Sequence, residues 1–224
     1  MKADKIIIPR AERPRRPVTT ASWVIIALAV VAMTASLWSL RQETLVTQYQ
    51  YRVDNQILPD GTMQPPAFPP LPAAAPPRTL VAEALYRARV AAVTPDASRR
   101  RAQLTVARAA ITQAIDSRPH WGEAWVVKAY IESIASPRLD EAEKNALARS
   151  YLDAPFMHVT GLWRAQRAIS NWDAFSPFAQ NRIANEMVWL IRFTGGQTRA
   201  GLLETVRNSP AYFTVFMRLR AANR

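Results

Sequence analysis

The chain has 224 residues, 17 prolines, 6 glycines and no cysteine, so disulfides, thiolate nucleophiles, cysteine-type zinc sites and iron–sulfur clusters are excluded. Once a membrane segment and a linker are set aside, that length leaves room for one modest globular domain. The formal net charge is +12, of which +4 falls on residues 1–20 and +8 on the remainder, so part of the basicity belongs to a short tail.

Residues 1–20 form that tail, with six basic side chains against Asp4 and Glu12. From Pro17 to Leu40 no charged residue occurs, and residues 21–40 read as a transmembrane helix, since about 20 apolar residues cross a hydrocarbon core of roughly 30 Å. Trp23 and Trp38 stand near the two ends, where interfacial aromatic belts form. The run is longer than the apolar core of a cleaved signal, and Leu37, Trp38 and Leu40 occupy the place of a small-residue cleavage site, so an uncleaved anchor is expected. The positive-inside rule then keeps the N-terminus cytoplasmic and sends residues 41–224 across a bacterial inner membrane into the periplasm. Ala27, Ala29, Ala32, Ala35 and Ser36 also give the span small residues that permit close helix approach.

Residues 41–78 read as a juxtamembrane segment and a proline-rich linker. In "TLVTQYQYRV" the alternation of Leu45, Thr47, Tyr49, Tyr51 and Val53 with Val46, Gln48, Gln50 and Arg52 reads weakly as a strand, and helical continuation of the span fits equally. Prolines at 59, 65, 66, 69, 70, 72, 76 and 77 then forbid a helix and favour polyproline II. At about 3.1 Å per residue, such a spacer reaches roughly 60 Å from the membrane.

From Thr79 to Arg224 the pattern is helical, giving an all-α fold class. Leu80, Ala84, Leu85, Ala88, Ala91 and Ala92 share one side of a first helix, and a second, capped near Asp96 or Ser98, carries Leu104, Ala107, Ile111, Ala114 and Ile115 at helical spacing. Phe178, Ile183, Met187, Leu190 and Ile191 mark a later helix that ends at Gly195–Gly196, and two shorter helices close the chain.

Ala107, Ile111, Ala114, Pro119, Trp125 and Ala129 fall in an order that resembles the tetratricopeptide repeat: small and bulky residues on a second helix, proline in the turn, then tryptophan and a small residue on the next first helix. A second occurrence runs through Leu147, Pro155, Gly161, Arg164 and Ala165, with Ser150 where the pattern wants alanine and Gly161 in place of the tryptophan. The resemblance covers residues 97–180. It implies a right-handed stack of antiparallel hairpins, a TPR-like α-solenoid, with a concave face on which Val126, Tyr130, Ile134, Leu162 and Gln166 receive a helix or an extended peptide.

Catalytic constellations are missing from the sequence. His120 and His158 sit in or after proline turns without zinc-ligand spacing, and the paired acids of "DEAEK" read as a solvated helical face. No cofactor or metal is expected, and no enzyme. Trp163, Arg164, Arg167 and Trp172 stand as a candidate glycan- or anion-binding cluster, because indole faces stack on sugars and guanidinium groups pair with anions.

Taken together, these features describe an inner-membrane scaffold or accessory protein whose periplasmic repeats bind a protein partner, with anionic polysaccharide or lipid headgroups as further ligands and no nucleic acid. The span, the "AI…RPHWGEAW" step and the "LWRAQRAISNWDAFSP" segment are also similar to small single-span repeat proteins of bacterial exopolysaccharide biosynthesis and export. That likeness implies an auxiliary role in polymer assembly. A direct glycan- or lipid-binding module, or an accessory subunit of another membrane complex, is the alternative.

Overall fold

The computed structural model describes residues 20–55, 75–157 and 160–222. The basic tail, most of the proline-rich linker and His158 therefore lie outside the described residues. The chain divides into two units, Met1–Glu43 and Thr44–Arg224. Among the described residues every regular element is helical: α1 (Thr20–Asn55), α2 (Pro77–Val93), α3 (Ala97–Ser117), α4 (Gly122–Ala135), α5 (Glu141–Asp153), α6 (Gly161–Ser170), a 3₁₀ turn (Trp172–Ala174), α7 (Pro177–Phe193), α8 (Gly196–Arg207) and α9 (Tyr212–Ala222).

Within α1 the stretch Trp23–Gln48 is long and apolar enough to cross a membrane. It runs eight residues past the charge-free stretch that ends at Leu40 and takes in Arg41 and Glu43. The alternation of residues 45–53 is helical too, because nothing in "RQETLVTQYQYRVDN" breaks the helix before Asn55. Thr34 and Ser36 turn their hydroxyls back to the carbonyls of Val31 and Ala32 at 2.9 and 2.8 Å, leaving neither donor unmet on an apolar surface.

The helix boundaries follow local chemistry. Asp96 caps α3 by accepting the Arg99 amide at 2.7 Å, Asp140 caps α5 through the Glu143 amide at 2.8 Å, and Ser176 precedes the N1 proline of α7. The Ser98 hydroxyl and the Arg99 amide hold the Asp96 carboxyl below its ordinary value. Its cap is thus complete above the ordinary carboxylate pKa and is lost as pH falls through the lower folded value. Replacing Asp140 by alanine is expected to cost about 1 kcal/mol, read as a lower urea midpoint at unchanged slope. An unchanged midpoint would mean that the first turn of α5 is held by packing alone.

Packing proceeds by neighbours: α2 with α3, α4 against both, α4 with α5, α7 against α5 and α6, α8 against α6 and α7, and α9 against α7 and α8. One apolar core gathers Leu80, Ala84, Ala88, Leu104, Ala107, Ile111, Ala114 and Ile131. A second gathers Leu147, Tyr151, Ile169, Ile183, Met187, Ile191, Leu202 and Val215. Helix α4 serves both: Ala124, Val127 and Ile131 belong to the first, Ala129 to the second, and Trp125 packs against each. Ala92 and Phe178, read as core-facing, are instead exposed, the one in the last turn of α2 and the other in the first turn of α7.

Candidate functional site: a groove across α2, α4 and α6

The turn between α3 and α4 is held by side chains from both helices. Ala107 and Ala114 are fully buried and Ile111 nearly so in the first core, whereas Ala129 is fully buried in the second. Pro119 lies just past the end of α3, and its carbonyl accepts the Trp125 indole N–H at 2.8 Å. The proline that stops one helix thereby fixes the first turn of the next. At that turn Gly122 faces the end of α5: a Cβ there would lie 2.5 Å from the Ala154 Cβ.

The second junction repeats this plan with a longer loop. Gly122 and Gly161 open α4 and α6, so the residue that matches Trp125, fourth in its helix, is Arg164 rather than the tryptophan position assigned to Gly161. Arg164 is fully buried. Its Nε donates to Glu186 Oε2 at 3.0 Å, its Nη2 to Glu186 Oε1, and its Nη1 to the carbonyls of Ser150 and Ala154 at 3.0 and 2.9 Å. The guanidinium lies 4.1 Å from the centroid of the Tyr151 ring, whose phenol burial pushes well above its ordinary value. The cation thus caps the carbonyl end of α5, where the helix dipole is negative, and ties it to α7. Glu186 also accepts the Met157 amide at 3.0 Å, which fastens the longer loop.

The candidate glycan cluster is therefore corrected. Arg164 has no face toward solvent, and Arg167 is held bidentate by the buried Glu143, with Nε–Oε1 at 2.6 Å and Nη2–Oε2 at 2.9 Å. Burial pairs these arginines with carboxylates from α7 and α5, which is how a buried cation is compensated. Trp172 is buried in the second core; Arg167 keeps 24% of its side chain exposed beside its carboxylate partner, and Trp163 keeps open surface of its own.

That open surface belongs to a groove. Val81, Ala82, Leu85 and Arg89 from α2, Trp121, Glu123, Val126, Val127 and Tyr130 from the α4 region, and Thr160 and Trp163 at the start of α6 line a hollow of about 540 Å³. Its floor is aliphatic and its edge aromatic, with Tyr130 and Trp163 meeting edge to face at a centroid distance of 5.3 Å. Arg78, Arg89 and Glu123 mark it with charge. Burial raises the Tyr130 phenol above its ordinary value, against the pull of Arg89. Val46, from the last turns of α1, lines the same hollow and is 7% exposed.

Set against known proteins, the chain matches no family model, no curated protein and no solved structure.

Of the five residues expected on the concave face, Val126 and Tyr130 lie in the groove. Ile134, one turn further along α4, lines a separate hollow with Leu104, Arg108 and Pro137. Leu162 packs against the second core, and Gln166 is half-buried on α6 outside the groove lining. Trp163, expected to stack on sugars, and the α2 residues Val81 and Leu85 complete the surface. Leu85, already on the apolar side of α2 by its spacing, and Val81, four residues before it, belong to or pack on the first core and line the groove as well. His120 accepts no metal-like neighbours: its Nδ1 lies 3.2 Å from Asp153 Oδ1 and 3.0 Å from Arg149 Nη2, a polar cluster at the hairpin ends. Among the described residues no group of three or more histidine and acidic side chains is placed to hold a metal.

Proposed function

We propose that this chain is a non-catalytic membrane-anchored scaffold whose groove holds an apolar face of a partner protein's helix. The supporting observation is the groove itself, which takes one helix from each of three consecutive hairpins and already accepts an apolar side chain, Val46, from a helix. Helix-in-groove recognition uses such a surface: aliphatic floor, aromatic edge, and a few charges to set direction. In this reading the stack is a TPR-like α-solenoid with α2, α4 and α6 on its inner wall, α1 spans a bacterial inner membrane with its N-terminus cytoplasmic, and the domain works in the periplasm. The likeness to exopolysaccharide accessory proteins makes polymer assembly or export the process served.

Crosslinking in cells, affinity purification and mass spectrometry test this, comparing the full chain with the Tyr130→Ala/Trp163→Ala variant and with a chain lacking residues 79–224. Both tested side chains are half-buried at the groove edge, and removing such aromatic anchors is expected to lower partner recovery at least about tenfold. Recovery of glycosyltransferase, polymerase or export components only with the intact groove supports the reading. The same partners recovered from all three chains would move the function to the span and end the groove proposal.

A further inference from the structure

The terminal helix α9 is apolar on both sides. Val215 is fully buried and Leu219 packs on the second core, which accounts for one side. On the other, Tyr212, Phe213, Phe216 and Met217 recur at one-, four- and five-residue spacing, so they form a single stripe. All four are exposed, Phe213 by 71%, and Tyr212 and Phe216 stack at 5.8 Å without shielding either ring. A contiguous stripe of large exposed apolar side chains marks a surface that meets something other than water.

Charge decides what covers them. From Met187 to the C-terminus the sequence has six arginines against one acidic side chain, Glu204. Arg220 stands within the apolar stripe, whereas Arg218 lies on the far side of α9 and donates to Asn181 and Asn185 of α7. A second copy of the same face would bring these cations together, which disfavours self-association. An anionic lipid surface satisfies both features: aromatic and thioether groups enter the headgroup boundary while guanidinium groups pair with phosphates. The same chain carries Trp23–Gln48, long and apolar enough to place the domain on a tether to a bilayer, which raises the local concentration of lipid.

We propose that Tyr212, Phe213, Phe216 and Met217, with Arg220 among them, form an interfacial membrane-docking face that lays α9 on anionic lipid. This face is separate from the groove, so either proposal stands or falls alone.

The absence of cysteine makes the test direct, since a single introduced cysteine takes a fluorophore uniquely. Full-length Phe213→Cys and Met217→Cys are labelled, with Val106→Cys on the exposed side of α3 as the control. Each is reconstituted with phosphatidylcholine alone or mixed with phosphatidylglycerol, and quenched by nitroxide-bearing lipids. Circular dichroism confirms that the labelled chains keep their helices. The expected result is quenching at 213 and 217 several-fold above that at 106 in the anionic mixture, falling toward the control in phosphatidylcholine alone and at high salt. Equal quenching at all three positions overturns the proposal. So does energy transfer between labels at 213 that grows with protein density irrespective of lipid, since that outcome assigns the face to a second copy. Insertion of the span is scored separately by carbonate extraction, and loss of docking with a stably inserted span counts against α9 alone.

Discussion

Replacing Glu186 by alanine is expected to lower folding stability by about 3–5 kcal/mol, the cost of leaving one member of a buried ion pair without the other. The substitution strands the fully buried Arg164 guanidinium and removes the acceptor of the Met157 amide. Unfolding in urea, followed by tryptophan fluorescence, measures the effect. A companion variant, Arg164→Met/Glu186→Leu, removes both charges and is expected to recover a substantial part of the loss, because apolar replacements of a buried pair are often neutral or better. Recovery stays incomplete, since the carbonyls of Ser150 and Ala154 lose their donor. A loss below about 1 kcal/mol for Glu186→Ala would show that water reaches Arg164 in solution, contrary to its burial.

Gly122→Ala is the second large effect. Its new Cβ would lie 2.5 Å from the Ala154 Cβ, closer than two methyl carbons pack, and neither belongs to a flexible side chain. The start of α4 and the end of α5 must move apart, at an expected cost of about 1–3 kcal/mol despite alanine's better helix propensity. Ala154→Gly in the same chain removes the opposing methyl and is expected to restore part of the stability, the residue 154 amide nitrogen still lying 3.2 Å from the added Cβ. If the double variant is no more stable than the single one, the steric account fails. Gly161→Ala supplies a graded comparison: its nearest neighbour, Glu186 Oε1, would be 3.2 Å away, so a smaller cost is expected.

These two sites mark how far the sequence alone carries. The α3–α4 junction is legible because its determinants are local. Ala107, Ile111, Ala114, Pro119 and Trp125 span fewer than twenty residues, and their spacing records helix, stop and helix directly. Arg164 and Arg167 are illegible for the opposite reason. Beside Trp163 and Trp172 they look like a ligand-binding patch, whereas their partners, Glu186 and Glu143, arrive from other helices 22 and 24 residues away. No periodicity announces which carboxylate a basic side chain will meet. The groove is an intermediate case. Val126 and Tyr130 follow from the phase of α4, but Ile134 turns onto another hollow because the last turn of α4 faces α3 rather than α2. Val81 and Leu85 join the groove only because α2 packs on α3 and α4 together, a tertiary fact. Phe178 stays exposed because, five residues before Ile183 and nine before Met187, it points away from the core side of α7, where the in-phase position is the buried Ala179.

The shared position of α4 has a consequence for how the domain comes apart. Its side chains fill both cores, with Ile131 in one, Ala129 in the other, and Trp125 touching each. Neither half can therefore melt while the other stays whole, for the first to open would strip a wall from the second. Heat or denaturant should meet a single cooperative unit where a chain of independent hairpins would have frayed one by one, and hydrogen exchange along α4 should track global opening. The same helix floors the groove, so whatever grips Val126 and Tyr130 tightens the joint between the two halves, and a bound partner would slow the unfolding of helices it never touches.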